Sequence, residues 1–324
     1  MKAVRYHAYG GPEVLRWEDA PEPTVGPEDV LIDVQAAGVN FADLMRRSGR
    51  YHGQDALPAL LGTEAAGTVV AVGARVTTLR PGDRVLCRST VPGCQAERVA
   101  VPAFQALAVP PGCSFVEAAA IPVAFLTAYH LLKTLAPLAP GETVLVQAAA
   151  SGVGTIAVQL AKHWGARVFA TASSAEKLLL AKRLGADECI DYVAADFAAE
   201  VLRLTGGRGV DRVLECVGGE VLTRSLAALA PGGRLLVYGR ASGALPALSA
   251  DDIFGRNLHV SGLNIGGAPW DLAQHRAALE ECLALVEAGR VRPVISAVFP
   301  LARVAEAHAH LAERRTMGKV VLTP

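Results

Sequence analysis

The residues best suited to chemistry lie in a turn of small side chains, positions 148–154. The turn follows an apolar run, Val144–Val146, which is typical of a buried parallel strand. Apolar residues then recur at the spacing of one helix face as far as Trp164, and Arg167–Ala170 has the composition of a second strand. A helix N-terminus carries unpaired N–H groups and about half a positive charge, so a phosphate can bind there if no side chain intervenes. The order strand, turn, helix, strand therefore predicts a dinucleotide site.

Only part of the usual glycine fingerprint is present in this turn. The pattern G-x-G-x-x-G would place its glycines at Ala149, Ser151 and Gly154, and only the last is a glycine. A tight turn in any doubly wound sheet is the alternative, and the flanking strand–helix–strand pattern favours the dinucleotide site over it. The predicted phosphate-binding residues are Ala149, Ser151, Gly152, Val153 and Gly154.

The residues after the second strand indicate which dinucleotide binds. NAD-binding folds usually have an acidic residue there for the ribose 2′-hydroxyl, whereas this chain has Ala172, then Ser173 and Ser174, and then Lys177. Hydroxyl and ammonium groups bind phosphate, so the sequence predicts NADPH, with Ser173 and Lys177 at its 2′-phosphate. Alternatively, a serine only caps the next helix and Lys177 is solvated. Both interpretations can hold at once.

Composition narrows the classes of function. The 324 residues carry 31 basic and 31 acidic side chains, which argues against binding nucleic acid or a membrane surface by bulk charge. No apolar stretch approaches the roughly 20 residues of a membrane span, and the N-terminus lacks the apolar segment of a signal peptide. We therefore expect a cytoplasmic protein.

The six cysteines lack metal-ligand spacing, so we expect reduced thiols and no metal. His308 and His310 would diverge on a helix, and we expect both at the surface.

The elements that must position these residues change along the chain. Residues 1–123 consist of short apolar runs, such as 2–6 and 29–39, between Pro, Gly and Asp turns, which predicts a compact antiparallel β-domain. Residues 124–266 alternate strands with helices, which predicts a doubly wound parallel sheet and an α/β fold class. Residues 267–324, with a long helix from about Trp270, are too few for a domain. We expect them to return to the first domain and leave a cleft between the lobes.

Motifs along nearly the whole chain resemble those of the medium-chain dehydrogenase/reductase superfamily, and within it the zinc-free quinone oxidoreductases that include zeta-crystallin. They include YGGPEVL (9–15), AGVNFADLMRRSGRY (37–51), LPALLGTEAAGTVVAVG (57–73), PGDRV (81–85), AAAIPVAFLTAYHLL (118–132), AAASGVG (148–154), LGADECIDY (184–192), GRGVDRVLECVGG (207–219), LAPGGRLLVYG (229–239) and GKVVLTP at the end. The resemblance implies a GroES-like β-domain, a Rossmann domain, and a homodimer joined at sheet edges, here through residues 258–265.

The resemblance also bears on the metal. Alcohol dehydrogenases of this superfamily hold a catalytic zinc with Cys, His and Cys ligands, which would fall at Asn40, Thr63 and Pro122–Val123. None of these supplies a thiolate or an imidazole, so we expect no Lewis acid that could polarise an alcohol or a carbonyl. The implied reaction is hydride transfer from NADPH to an already activated acceptor, such as a quinone or an α,β-unsaturated carbonyl.

Two residues at positions that the family places beside the nicotinamide could stabilise negative charge on the acceptor oxygen. Asn40 offers an amide N–H, and Tyr51 offers a hydroxyl that could donate a hydrogen bond or a proton. Asn40 could instead only cap the helix that follows it, and Tyr51 could be only a pocket wall. The other cofactor contacts that the resemblance implies are Thr127, Tyr192, Gly218, Gly239, Asn264 and, at the phosphates, Lys319.

Two alternative functions stay open. Enoyl-thioester or alkenal reduction is the runner-up among enzymes, although the sequence shows no obvious basic channel for the phosphates of an acyl carrier. A non-catalytic NADPH-binding protein, of a crystallin-like or regulatory kind, is the alternative outside enzymes. The presence of Asn40, Tyr51 and Thr127 together favours the enzyme.

Overall fold

The computed structural model describes residues 1–51, 53, 55–244, 248–267 and 271–324, and the chain divides into two compact units. The first unit holds Met1–Ala124, and the chain returns to it in the helix Leu272–Glu287 and in Pro293–Pro324. The second unit extends from Phe125 through the strand His259–Gly262 and includes Gly289–Arg292. The first unit is rich in antiparallel strands and the second is a parallel sheet with helices, so the predicted α/β fold class is confirmed.

The first unit starts with antiparallel strands and two short helices. In chain order they are β1 (Lys2–Tyr6), β2 (Leu15–Asp19), β3 (Asp29–Val39), α1 (Phe41–Arg47), β4 (Ala59–Leu60), β5 (Glu64–Val72), β6 (Arg84–Arg88), β7 (Arg98–Pro102), β8 (Ala106–Ala108) and α2 (Phe115–Ala119). Alternate residues of β3 are buried, among them Val30, Ile32 and Val34, as expected for a strand that packs one face on a core.

The chain enters the second unit within α3 (Pro122–Tyr129), which continues into a π-helical segment, His130–Leu135. Strands and helices then alternate: β9 (Thr143–Val146), α4 (Gly152–His163), β10 (Arg167–Ala172), α5 (Ala175–Arg183), β11 (Glu188–Asp191), α6 (Phe197–Leu204), β12 (Val210–Glu215), α7 (Glu220–Ala228), β13 (Leu229–Val237), α8 (Ala250–Phe254) and β14 (His259–Gly262).

The strands of the second unit form a parallel sheet in the order β11-β10-β9-β12-β13-β14. Its central strand, β9, contributes Val144, Leu145 and Val146 to the core, and none of the three is exposed. A strand with both faces covered needs such an uninterrupted apolar run, which is why its sequence does not alternate. β14 lies at one edge of the sheet, and a dimer through this edge remains a prediction.

The chain then returns to the first unit through α9 (Leu272–Glu287), β15 (Ile295–Pro300), α10 (Val304–Ala312) and β16 (Lys319–Thr323). Trp270, where the long helix was predicted to start, lies outside the described residues. β16 pairs antiparallel with β3, with Val320 opposite Val39, in a sheet of order β15-β16-β3-β5-β6-β8 in which β7 also pairs with β3. This register brings Lys319 to the end of β3. No helix of the described residues is long and apolar enough to cross a membrane.

The expectation that both histidines of α10 lie at the surface is wrong for His308. His308 is fully buried, and its Nδ1 accepts a hydrogen bond from Arg47 Nε at 3.2 Å. Val304, four residues earlier, is also buried, so this face of α10 packs into the core. Burial, and then the charge of Arg47, lowers the pKa of His308 to about 3, and the side chain is neutral at physiological pH.

We predict that acidification destabilises the fold through His308. The unfolded chain takes up this proton near pH 6.5 and the folded chain only near pH 3, so the stability is fully present above pH 6.5 and is lost below it. The loss approaches about 1.4 kcal/mol per pH unit. Urea unfolding between pH 7 and pH 5 should show a shallower dependence in His308→Gln than in the wild type. His310→Gln, the control on the same helix, should keep the wild-type dependence; equal slopes in all three would contradict the prediction.

Candidate active site

The turn identified from the sequence joins β9 to α4. Ser151 caps α4 through its Oγ, which accepts the Gly154 N–H at 3.0 Å. The N–H groups of Gly152 and Val153, in the first turn of the helix, donate to no protein group in the described part of the chain. Unpaired donors at a helix N-terminus attract an anion such as a phosphate. The local structure therefore has the chemistry that the dinucleotide prediction requires.

Close approach of α4 to this turn depends on Gly154. A Cβ added at Gly154 would lie 2.3 Å from Ala148 O and 2.8 Å from Ala149 Cα, and both atoms belong to backbone that cannot rotate away. Ala148 itself has a φ of +51°, in the left-handed region that glycine usually occupies. Ala149 donates its N–H to Thr171 O at 3.0 Å, which ties the turn to β10. The incomplete fingerprint thus keeps the glycine on which the packing depends.

A buried polar chain beneath the turn was not anticipated from the sequence. Thr171 Oγ1 donates to Gln147 Oε1 at 2.6 Å, and Gln147 Nε2 donates to Ser225 Oγ at 3.2 Å. All three residues are buried. They connect the ends of β9 and β10 with α7, so they hold the base of the turn in one arrangement. Polar residues that follow apolar runs at the ends of adjacent parallel strands were the available signal.

The proposed 2′-phosphate residues follow the neighbouring strands β10 and β11. Ser174, rather than Ser173, caps α5: its Oγ accepts the Lys177 N–H at 3.4 Å. Tyr192 follows β11, is 37% exposed, and donates its N–H to Ala172 O at 3.3 Å. Ser174 is therefore the capping residue, whereas Ser173 is the residue predicted to bind the 2′-phosphate. The structure brings the backbone of Tyr192 beside the residue that precedes Ser173.

Two of the predicted cofactor glycines lie at the ends of β12 and β13. Gly218 has a φ of +79°, and its N–H donates to Glu215 Oε1 at 2.9 Å. Burial raises the pKa of Glu215, which is fully buried. A Cβ at Gly239 would lie 3.2 Å from the Cβ of Cys216. Packing against Cys216 is thus a reason for a glycine at position 239, independently of any ribose.

Thr127 and Asn264, the remaining predicted contacts in the second unit, differ in exposure. Thr127 is buried on α3. Asn264 follows β14, is exposed, and accepts the Gly266 N–H at 3.1 Å through its Oδ1. Their roles at a nicotinamide stay predictions.

In the first unit, Asn40 belongs to a cluster around the carboxylate of Glu64. Asn40 Nδ2 donates to Glu64 Oε1 at 2.7 Å, and Asn40 Oδ1 accepts from Lys319 Nζ at 2.5 Å. Lys319 Nζ is also 2.5 Å from Glu64 Oε1, and the N–H of Val123 donates to Glu64 Oε2 at 2.7 Å. Both polar atoms of the Asn40 side chain therefore bond to residues outside α1. Lys319 forms an ion pair with Glu64 in the first unit. This ion pair was not predicted from the sequence, which suggested a contact with the cofactor phosphates instead.

A second buried carboxylate, Asp43, adjoins this cluster. Its Oδ2 accepts the backbone N–H of Asn40 at 2.8 Å and Gln95 Nε2 at 3.4 Å. Burial raises the pKa of Asp43 to about 6; the hydrogen bond from Asn40 and the charge of Lys319 oppose the shift, and the charge of Glu64 adds to it. Burial thus moves the pKa of Asp43 toward neutral pH.

Tyr51 lies beside two arginines. The guanidinium carbon of Arg46 is 4.6 Å from the centroid of the Tyr51 ring, within range of a cation–π interaction. Arg88, on β6 directly opposite Glu64, has its pKa lowered by burial, while the charges of Tyr51 and Glu64 act in the opposite direction. Neither Glu64 nor Arg88 was identified from the sequence. Glu64 could have been identified as a buried charge because it is an acidic residue in an otherwise apolar run, EAAGTVV.

No group of three or more His, Cys, Asp or Glu side chains among the described residues has the arrangement of a metal site. At the position of the first zinc ligand of the alcohol dehydrogenases, Asn40 has its side-chain oxygen bound by the Lys319 ammonium.

Known proteins match the chain over its full length. Residues 26–128 match the alcohol dehydrogenase GroES-like domain, and residues 152–286 match the zinc-binding dehydrogenase domain. The chain is 38% identical to a quinone oxidoreductase of Pseudomonas aeruginosa, with 100% of this chain and 99% of that one covered. A 2-haloacrylate reductase of Burkholderia sp is 36% identical over 100% of this chain and 99% of its own length. The structure of Escherichia coli quinone oxidoreductase complexed with NADPH has a TM-score of 0.95 at 32% identity, with both chains fully covered.

The paired domains define a medium-chain dehydrogenase/reductase. Within that superfamily, the chain belongs to the quinone oxidoreductase family. The resemblance stated from the sequence is confirmed.

We predict that Gly154→Ala weakens dinucleotide binding. The added methyl group must displace the backbone of the turn or the start of α4, because its contacts at 2.3 and 2.8 Å are with backbone atoms. We expect NADPH affinity, measured by calorimetry, to fall about tenfold or more, and the unfolding midpoint to fall with it. The control is Gly255→Ala in the same unit, where the added methyl would meet nothing closer than 3.6 Å. Wild-type affinity in Gly154→Ala would contradict this account of the turn.

Proposed function

We propose that this protein is an NADPH-dependent reductase that transfers hydride to quinones or related α,β-unsaturated carbonyls without a metal. The observation that carries the proposal is the donor chemistry at the positions that correspond to zinc ligands. Asn40 presents an amide whose oxygen is bound by an ammonium, and Thr63 and Pro122–Val123 offer neither thiolate nor imidazole. The full-length similarity to quinone oxidoreductases supports the acceptor class.

The residues of the second unit fit NADPH. The unpaired N–H groups of Gly152 and Val153 suit its pyrophosphate, and the close approach that Gly154 permits leaves them accessible. The relative from Escherichia coli was solved with NADPH, which supports the choice of cofactor. When bound, NADPH supplies the hydride. The proposed further contacts are Thr127, Ala149, Ser151, Ser173, Lys177, Tyr192, Gly218, Gly239 and Asn264.

The residues of the first unit are proposed to stabilise the acceptor. Reduction of a quinone or an enone places negative charge on an oxygen, and fixed hydrogen-bond donors lower the energy of that charge. Asn40 Nδ2 uses one N–H for Glu64, and its second N–H is proposed to donate to the acceptor oxygen. The Tyr51 hydroxyl is proposed to donate a hydrogen bond or the proton that completes the reduction.

A second candidate within the enzyme class is reduction of the conjugated double bond of an enoyl thioester or an alkenal, or of an unsaturated acid. The similarity to a 2-haloacrylate reductase favours this candidate specifically. A non-catalytic NADPH-binding protein is the outcome if NADPH binds tightly and no acceptor is reduced.

The proposed assembly is a homodimer through the edge strand β14, and light scattering distinguishes it from a monomer.

We predict that EDTA-treated protein oxidises NADPH in the presence of benzoquinone or phenanthrenequinone. Asn40→Ala and Tyr51→Phe should each lower kcat on the order of 100-fold, because each removes a donor to the developing charge. Tyr9→Phe is the control: its hydroxyl donates to Asp55 O at 3.0 Å in the same unit, and its kcat should stay at the wild-type value. Turnover with an enoyl thioester or an unsaturated acid, but with neither a quinone nor a simple enone, favours the second candidate. Activity that EDTA removes and zinc restores would contradict the metal-free mechanism.

We predict that Lys177→Ala weakens binding of NADPH about tenfold and leaves binding of NADH unchanged, because an ammonium that contacts the 2′-phosphate contributes a charge-assisted hydrogen bond to NADPH alone. Lys182→Ala is the matched control on α5, where the ammonium donates to Asp187 O at 2.8 Å. Dissociation constants from calorimetry measure both effects. If the ratio of the NADPH and NADH dissociation constants in Lys177→Ala equals that of the wild type, Lys177 does not contact the 2′-phosphate.

A further inference from the structure

The first unit contains a buried ion pair at the start of two strands. Glu64, the first residue of β5, is fully buried, and Lys319, the first residue of β16, is 5% exposed. Their charged atoms are 2.5 Å apart. Burial of charge is unfavourable unless every charged atom has partners, so the position of each side chain depends strongly on the other.

This ion pair determines how the Asn40 amide is oriented. The amide nitrogen donates to the carboxylate of Glu64, and the amide oxygen accepts from the ammonium of Lys319. A flipped amide would place its oxygen against the carboxylate and its NH2 group against the ammonium, and both contacts would be repulsive. One orientation is therefore strongly favoured. The second Nδ2 hydrogen remains for a further acceptor.

The neighbouring backbone keeps the Glu64 carboxylate in this position. A Cβ at Gly38, on β3, would lie 2.4 Å from Glu64 Oε1 and 2.7 Å from Ala119 O. Only glycine at this position of β3 leaves room for the carboxylate. On its other side, Glu64 Oε2 accepts the Val123 N–H from the first turn of α3, an arrangement in which a helix N-terminus stabilises negative charge.

We propose that the Lys319–Glu64 ion pair positions and polarises Asn40 for catalysis. This inference rests on the proposed function, because it assigns Asn40 as the donor to the acceptor oxygen. The ammonium draws electron density from the amide oxygen and thereby makes the second N–H a stronger donor. Lys319 and Glu64 are positioning residues in this scheme: they act through Asn40. The role differs from the direct phosphate contact that the sequence suggested for Lys319, and experiment can separate the two.

The test compares kcat with NADPH affinity in Lys319→Met. Loss of the ammonium should lower kcat on the order of 10- to 100-fold and leave the dissociation constant of NADPH within about twofold of the wild type. Lys319→Arg, which retains a cationic donor, should recover part of kcat. A lysine that bound the phosphates would give the opposite split, with weakened NADPH binding and little change in kcat at saturation, and that result would overturn the proposal.

Matched variants separate positioning from stability. Either single variant leaves one buried charge unpaired, whereas Glu64→Gln/Lys319→Met removes both charges and keeps side chains of similar size. The double variant should fold and keep a low kcat; a wild-type kcat in it would show that the pair serves stability only. Lys162→Met, which breaks the exposed ion pair between Lys162 and Asp187, is the control and should keep wild-type kcat and affinity.

A spectroscopic measurement tests the inference without turnover. The chain has three asparagines, Asn40, Asn257 and Asn264, so protein labelled with ¹⁵N-asparagine gives three side-chain amide signals. The Asn40 signal should have two well-separated proton shifts and slow exchange with water, and both features should be lost in the double variant while the other two signals stay in place.

Wild-type protein that reduces no acceptor, yet shows this Asn40 signal, would refute the proposed function and leave the oriented amide intact. An Asn40 signal that is unchanged in the double variant would overturn the positioning role, whatever the turnover.

Discussion

A carboxylate that is buried away from solvent must accept hydrogen bonds on its oxygen atoms, and Glu64 in the first unit is such a carboxylate. The donors come from Asn40, before α1, from Val123, in α3, and from Lys319, in β16. These elements lie far apart in the chain, so the carboxylate is satisfied only when the C-terminal strand has paired with β3. Removal of one charged partner from such a pair typically costs about 3–5 kcal/mol, because the other charge stays buried. The same bonds that stabilise the unit therefore fix the candidate catalytic amide.

The hydrogen-bond donors of the two units differ in whether they already have partners. The difference follows from the charge that each donor is proposed to bind, a permanent one on a phosphate or a transient one on an acceptor oxygen. At the start of α4, the N–H groups of Gly152 and Val153 donate to no residue that the structure describes, which suits a phosphate that brings a permanent charge. In the first unit, Asn40 is bound on both sides before any acceptor arrives. Charge on an acceptor oxygen appears only during the reaction, so its donor stabilises it most when it is already oriented. A loosely held amide would lose part of that energy in reorganisation.

The sequence predicted local features well and long-range pairing poorly. Strand β3 and the turn before α4 could be predicted because hydrophobic periodicity and small residues are local signals. The bond between Asn40 and Lys319 joins residues 279 positions apart, and no local pattern indicates it. The acidic residue in the apolar strand β5 signalled a buried charge without naming its partner. His308 was a different case: it lies four residues after Val304, so the helical period alone places it on the core face.

Glu64, Asp43 and Lys319 are buried next to Asn40, and the two carboxylates have different hydrogen-bond partners. Lys319 bonds directly to Glu64, while the donors to Asp43 among the described residues are both neutral, the Asn40 N–H and Gln95 Nε2. Burial therefore raises the pKa of Asp43 to about 6, with Glu64 adding to the shift. The side-chain amide of Asn40 bonds to Glu64 and Lys319, and Asp43 accepts only from the backbone N–H of the same residue, so the orientation of the amide depends on the ion pair.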